Sequence, residues 1–179
     1  MASKKGRGLL FICALMLCLF MHPAALLESA LPLIETDLAL FFEGETWALD
    51  TPASDLLKAF EQAGIKLDMT QADSCLFEGK DKEYTSEEVL IGTLPKGTKG
   101  EDVIETIMVL SGDYLTSRGI GIGSVKEEII LAYGEPTLVD YDLLIYSLDN
   151  RQDSAQLVFV LDLSTETVLS YYYFQNTQV

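Results

Sequence analysis

The sequence predicts an α+β protein made of two tandem helix–three-strand halves, forming an antiparallel sheet with its helices on one face. Three observations predict it. Two segments carry helical periodicity with both a start and a stop signal. Each is followed by apolar runs of strand length, separated by short polar or Gly-containing breaks. The order helix–strand–strand–strand occurs twice, over about 46–116 and about 119–175.

The second helix has the clearest signals. Residues 119–136 read GIGIGSVKEEIILAYGEP. Ser124 followed by Glu127 has the spacing of a capping box, in which the serine oxygen takes an orphan amide of the first turn and the glutamate reaches back. Val125, Ile129, Ala132 and Tyr133 form one apolar stripe, with Lys126, Glu127 and Glu128 on the wet side. Gly134 suits the left-handed stop position and Pro136 forbids resumption, so the helix is predicted over 125–133. The alternating Gly119, Gly121 and Gly123 form an extended approach to it. They do not match the G-x-G-x-x-G of a phosphate cradle, and they lie in a strongly acidic chain.

Earlier in the chain, residues 38–42 form an edge strand or a second short anchor, and 45–49, around Trp47, read as a strand. Thr51 as cap and Pro52 as the first helical residue open a helix over 52–63, with Leu56, Leu57, Phe60 and Ala63 as its stripe and Gly64 as its stop. Strands are predicted at 74–77, 88–94 and 103–110, then in the second half at 143–148, 156–163 and 168–174.

The first 30 residues differ from the rest. Lys4, Lys5 and Arg7 precede an apolar run over 9–21, which is the pattern of a signal peptide or an N-terminal anchor. Cleavage near Ala25 or Ala30 and retention as an anchor both remain open, while Cys13 and Cys18 lack the small residue that a lipid attachment site needs before its cysteine. Residues 31–179 are enough for one α+β domain with a real core. The net charge of −16 repels phosphates and anionic lipid, so nucleic acid is excluded as a partner. The single histidine, His22, lies in the leader, so the remainder lacks the commonest general base and metal ligand. That argues against Ser-His-Asp and Cys-His catalysis but leaves a carboxylate-based hydrolase open. No cofactor and no metal are expected.

Several residues invite a functional reading. Glu127 and Glu128 are adjacent on a helix and do not face each other. Asp140, Asp142, Asp149 and Asp153 lack the shaped loop that calcium requires. Cys75, the only thiol beyond the leader, is expected to be reduced and partly buried. The last hairpin is the best candidate. A two-residue turn at Thr165-Glu166 places Leu157, Phe159 and Leu161 on one face with Tyr172 and Phe174, as core. Val158 and Val160 then share the other face with Tyr171 and Tyr173, which are expected to be exposed and to form a binding surface.

The capped helix, the tyrosine-rich strand and the L-V-F-V-L-D hairpin together resemble the helix–hairpin modules of exported bacterial proteins with a beta-lactamase-inhibitor-protein-like fold. The same module occurs in the small lipoprotein of the outer-membrane barrel-assembly machinery. The resemblance covers mainly residues 119–174 and carries no catalytic residue. It implies an extracytoplasmic module, often tandem, whose sheet can bind a protein partner in the cell envelope or outside the cell. The function expected is therefore non-enzymatic binding or envelope assembly. An inhibitor of an extracellular enzyme and a carboxylate-dependent hydrolase are the alternatives.

Overall fold

The computed structural model describes residues 31–96 and 101–177. The expected signal peptide or anchor and His22 lie outside the described residues. The α+β expectation of two helix–three-strand halves is not met. Among the described residues there are ten strands in two antiparallel sheets and only two α-helices, and eight of the strands belong to one sheet.

Strands β1 (Ala39–Phe42) and β2 (Glu45–Ala48) pair as a hairpin through Glu43 and Gly44, both at positive φ, as a tight primed turn requires. Helix α1 (Ala53–Gln62) follows. Thr51 donates its hydroxyl to the Ala48 carbonyl instead of capping the helix. The approach to α1 is held by backbone bonds to residues 102 and 104. Strands β3 (Asp68–Asp73), β4 (Lys80–Thr85), β5 (Val89–Leu94) and β6 (Val103–Val109) come next. Helix α2 (Lys126–Tyr133) precedes β7 (Leu138–Asp140), β8 (Leu143–Ser147), β9 (Gln156–Asp162) and β10 (Thr167–Phe174). These eight strands form one sheet in the order β3-β4-β5-β6-β10-β9-β8-β7.

The strand count differs from the expectation for a physical reason. Apolar runs mark strands with a buried face, and β3 is exposed at every residue, as is the short β7. The apolar stretch predicted as a strand at 74–77 is instead part of the β3–β4 connection, and the polar segments beside it make the ladder. Cys75 sits in that connection and is exposed, not partly buried.

Both helices cover the same face of the sheet. Leu56 and Phe60 of α1 and Ile129 and Tyr133 of α2 join one cluster with Ile91, Ile107, Phe159 and Tyr171. Phe60 stacks on Phe42 at 4.3 Å, which ties the small sheet to α1. Fully burying Leu56 or Phe60 stabilises the fold by about 1.5–3 kcal/mol each.

Helix α2 begins one residue later than predicted. Its N-cap is Val125, and the Glu128 carboxylate accepts from the Val125 amide at 3.1 Å. Glu127 is exposed on the first turn and Ser124 is not the cap. Ser124 lies one residue too early to cap, because Val125 is the residue held extended at φ −84° and ψ 155°: it bridges Thr167, the Val168 amide donates to the Ser124 carbonyl, and the Lys126 amide donates to the Glu166 carbonyl. The Ser124 hydroxyl instead accepts from the Gly121 amide at 3.3 Å. Gly134 ends the helix at φ 78°, and the half-buried Pro136 follows two residues later.

The register of the last hairpin also differs from the prediction. The connection runs from Asp162 to Thr167, four residues rather than two. The Asp162 carboxylate organises it by accepting from the Ser164 and Thr165 amides. That change alone preserves the faces, and Val168 opposite Leu161 is buried as core. A bulge between Val168 and Ser170 then adds one residue. With side chains alternating at period two, one extra residue reverses every position beyond it. Tyr171 and Tyr173, expected at the surface, are therefore fully buried opposite Phe159 and Leu157. Tyr172 and Phe174 turn to the other face.

Candidate binding face

The face turned away from the helices carries a continuous cross-strand row. Following the pairings from one edge to the other gives Asp68, Thr85, Leu90, Met108, Tyr172, Val158, Ile145 and Leu138. Six of these eight are apolar or aromatic. Residues directly opposed across strands point to the same side, so this register builds one apolar band across β5 to β7. Leu90, Met108, Tyr172 and Ile145 are half-buried, and Val158 between Tyr172 and Ile145 is buried. Burial also raises the Tyr172 phenol above its usual range, so it stays a neutral donor at ordinary pH.

A second row lies beside the first: Glu83, Gly92, Thr106, Phe174, Gln156 and Ser147. Gly92 contributes no side chain here. The space it leaves opens into a groove of about 520 Å3, walled by Thr70, Ala72, Glu83, Leu90 and Thr106. Asp81 also lines it, with one carboxylate oxygen buried and without a partner. Carboxylates thus rim the band at the β3–β4 end, and Asp140, paired with Leu143, does so at the β7 end. An apolar centre with an acidic rim suits a protein surface carrying apolar anchors and peripheral basic groups.

Of the residues expected at a binding surface, Val158 and Val160 lie on this open face, Val160 half-buried. Tyr171 and Tyr173 are on the opposite face, in the core, and Tyr172 and Phe174 take their place. Leu90 and Met108 were not singled out from the sequence, since half-buried aliphatics in a strand read equally well as core. The Asp162-x-Ser164-Thr165 loop was the legible signal for the longer hairpin connection, because an aspartate often binds backbone amides two and three residues on.

On the helix side, a polar rivet joins the N-terminal residues to α2. Arg118 donates to the Asp37 carboxylate from Nε and Nη2, to the carbonyls of Leu31 and Ala132 from Nη1, and to that of Pro32 from Nη2. Its guanidinium also lies 4.7 Å from the centre of the Tyr133 ring. Asp37 further accepts from the Ser117 hydroxyl and the Ile34 amide. Burial by itself raises the Asp37 carboxyl, but the bonds from Arg118, Ser117 and Ile34 outweigh it and hold it below the ordinary carboxylate value. Nearby, a cleft of about 510 Å3 opens between the β1–β2 hairpin and residues 113–117, with exposed Phe41 and Leu115 on its walls. Beside it, the Tyr114 hydroxyl donates to Glu88 at 2.6 Å.

Among the described residues, no group of three or more His, Cys, Asp or Glu side chains is placed to hold a metal ion, and no helix is long and apolar enough to cross a membrane. The chain matches no protein-family model, no curated protein and no solved structure.

Proposed function

We propose that this chain is an extracytoplasmic, non-enzymatic module that binds a protein partner of the cell envelope through the open face of its large sheet. The observation that carries this reading is the apolar cross-strand band on a face that neither helix covers, with carboxylates at both ends. Bands of this kind favour association because burying them removes apolar area from water, while the charged rim sets orientation and rejects wrong partners. The basic and apolar leader supports the extracytoplasmic location, and the resemblance of residues 119–174 to exported helix–hairpin modules supports a binding role. Tyr172 is the expected energetic centre, being a large amphipathic side chain in the middle of the band.

The test is capture of partners from an envelope extract by the wild-type chain, by Tyr172→Ala and by Met108→Ala. Leu163→Ala, in the exposed β9–β10 connection, serves as control. A partner captured by wild type and by the control should be weakened at least about tenfold by each face variant, the size of a hot-spot truncation of about 1.4 kcal/mol or more. Equal capture by all four folded proteins, or no specific partner for the wild-type chain, would overturn the proposal.

A further inference from the structure

Three phenol hydroxyls are shut inside the fold without a protein partner. Tyr133 on α2 is 3% exposed, and Tyr171 and Tyr173 on β10 are 0% exposed. The hydroxyl oxygens of all three are buried and complete no hydrogen bond to a protein group. A buried hydroxyl left unbonded bears its full desolvation cost, so folded proteins leave only a few polar groups in this state, and three in one cluster call for an explanation. Tyr146 nearby is satisfied in the ordinary way, donating to the Gly134 carbonyl at 2.9 Å.

The three are gathered in one place. The Tyr171 and Tyr173 rings meet edge-on at 5.8 Å, and Phe159 touches both sides of the group, 6.0 Å from Tyr171 and 5.8 Å from Tyr133. Tyr133 influences both β10 phenols electrostatically, and Asp37 influences Tyr133 and Tyr173. The Tyr171 and Tyr173 hydroxyls also lie near each other, and Thr116 and Ser117 border that of Tyr133 on the side of the Arg118 rivet, but none of these approaches completes a hydrogen bond. Burial pushes all three phenols above their usual range, so each stays neutral and can donate one bond and accept others.

We propose that the hydroxyls of Tyr133, Tyr171 and Tyr173 form an internal hydration site, in which ordered water bridges the end of β10 to α2. Water is the ligand class that fits. It needs two to four polar partners at once, and this site offers several small donors and acceptors of both kinds. A cation finds neutral phenols and an Asp37 carboxylate already paired with Arg118, and an apolar molecule would leave the hydroxyls unsatisfied. The site also gives the β10 bulge a role: the added residue turns Tyr171 and Tyr173 inward and so brings two hydroxyls to the site, where Tyr172 and Phe174 would bring one.

The test uses water relaxation dispersion, which detects molecules residing longer than the protein tumbles, together with urea unfolding of the wild-type protein, Tyr171→Phe, Tyr173→Phe and the double variant. The proposal expects a long-lived water in the wild type that is lost in the double variant. It also expects each single variant to lower the urea midpoint, because the water loses a partner. If the hydroxyls were truly unbonded, phenylalanine would remove a desolvated group at no loss and the midpoint would rise. A raised midpoint, the lack of any long-lived water in the wild type, or a water signal unchanged in the double variant would each overturn the proposal.

Discussion

Arg118→Ala tests the buried ion pair between Arg118 and Asp37. The Arg118 side chain is 17% exposed and that of Asp37 is 5% exposed, so the substitution strands a carboxylate away from water. Ser117 and the Ile34 amide remain as its donors, but the compensating charge is gone. Removing one partner of a buried ion pair costs about 3–5 kcal/mol. Arg118 keeps some contact with water, and two of the carbonyls it binds belong to the exposed residues Leu31 and Pro32, so the lower end, about 3 kcal/mol, is the expected cost here. Trp47, the only tryptophan, is half-buried beside the core and reports unfolding by fluorescence. With a urea dependence of about 1–3 kcal/mol per molar, the midpoint should fall by about 1–3 M. Asp37→Asn combined with Arg118→Met should recover part of the loss, because it removes the stranded charge as well as its partner. A midpoint within about 0.3 M of wild type for Arg118→Ala would refute the reasoning, since that corresponds to less than about 1 kcal/mol. A double variant no more stable than the single one would refute it equally.

Three further outcomes are expected. Because the folded Asp37 carboxyl lies below its ordinary value, its contribution is complete above the unfolded value of about 3.9 and is lost as pH falls through the folded value. Wild type should therefore lose stability more steeply than Asp37→Asn below about pH 4, measured by urea midpoints across that range. Cys75 should react with a bulky maleimide in the native protein about as fast as in denaturant, because it is exposed in the β3–β4 connection; protection in the native state would contradict that placement. Deleting Leu169, the exposed residue inside the β10 bulge, should leave a regular strand that still pairs Tyr171 with Phe159 and Tyr173 with Leu157. Tyrosine accessibility measured by nitration should then be unchanged at Tyr171 and Tyr173, and new modification there would show that the bulge residue is needed to hold the register.

What the sequence by itself determined is whatever repeats at short range. The stripes Leu56–Phe60 and Ile129–Tyr133 specify helices that bury one face, and Gly134 with Pro136 specifies where the second one stops. The apolar runs of β5, β6, β8, β9 and β10 specify strands, because a chain with one buried side must show it every second residue. The tertiary structure decided the rest. β3 is a strand only because β4 supplies hydrogen bonds to a mostly polar, exposed segment, and β7, with Leu138 and Val139 both exposed, is three residues long and shows no buried alternation. The cap falls at Val125 rather than Ser124 because the start of β10 and the residue before it bond to residues 124–126 and hold Val125 extended, where the Glu128 carboxylate accepts from its amide. Arg118 finds Asp37 across 81 positions of sequence, a pairing that no local spacing encodes. Above all, the β10 bulge decided which tyrosines face the helices and which face the open side. A period-two pattern sets the alternation along a strand but leaves its phase to one inserted residue. The core around Phe159 selected that phase by taking up Tyr171 and Tyr173, and it thereby placed Tyr172 and Phe174 on the proposed binding face.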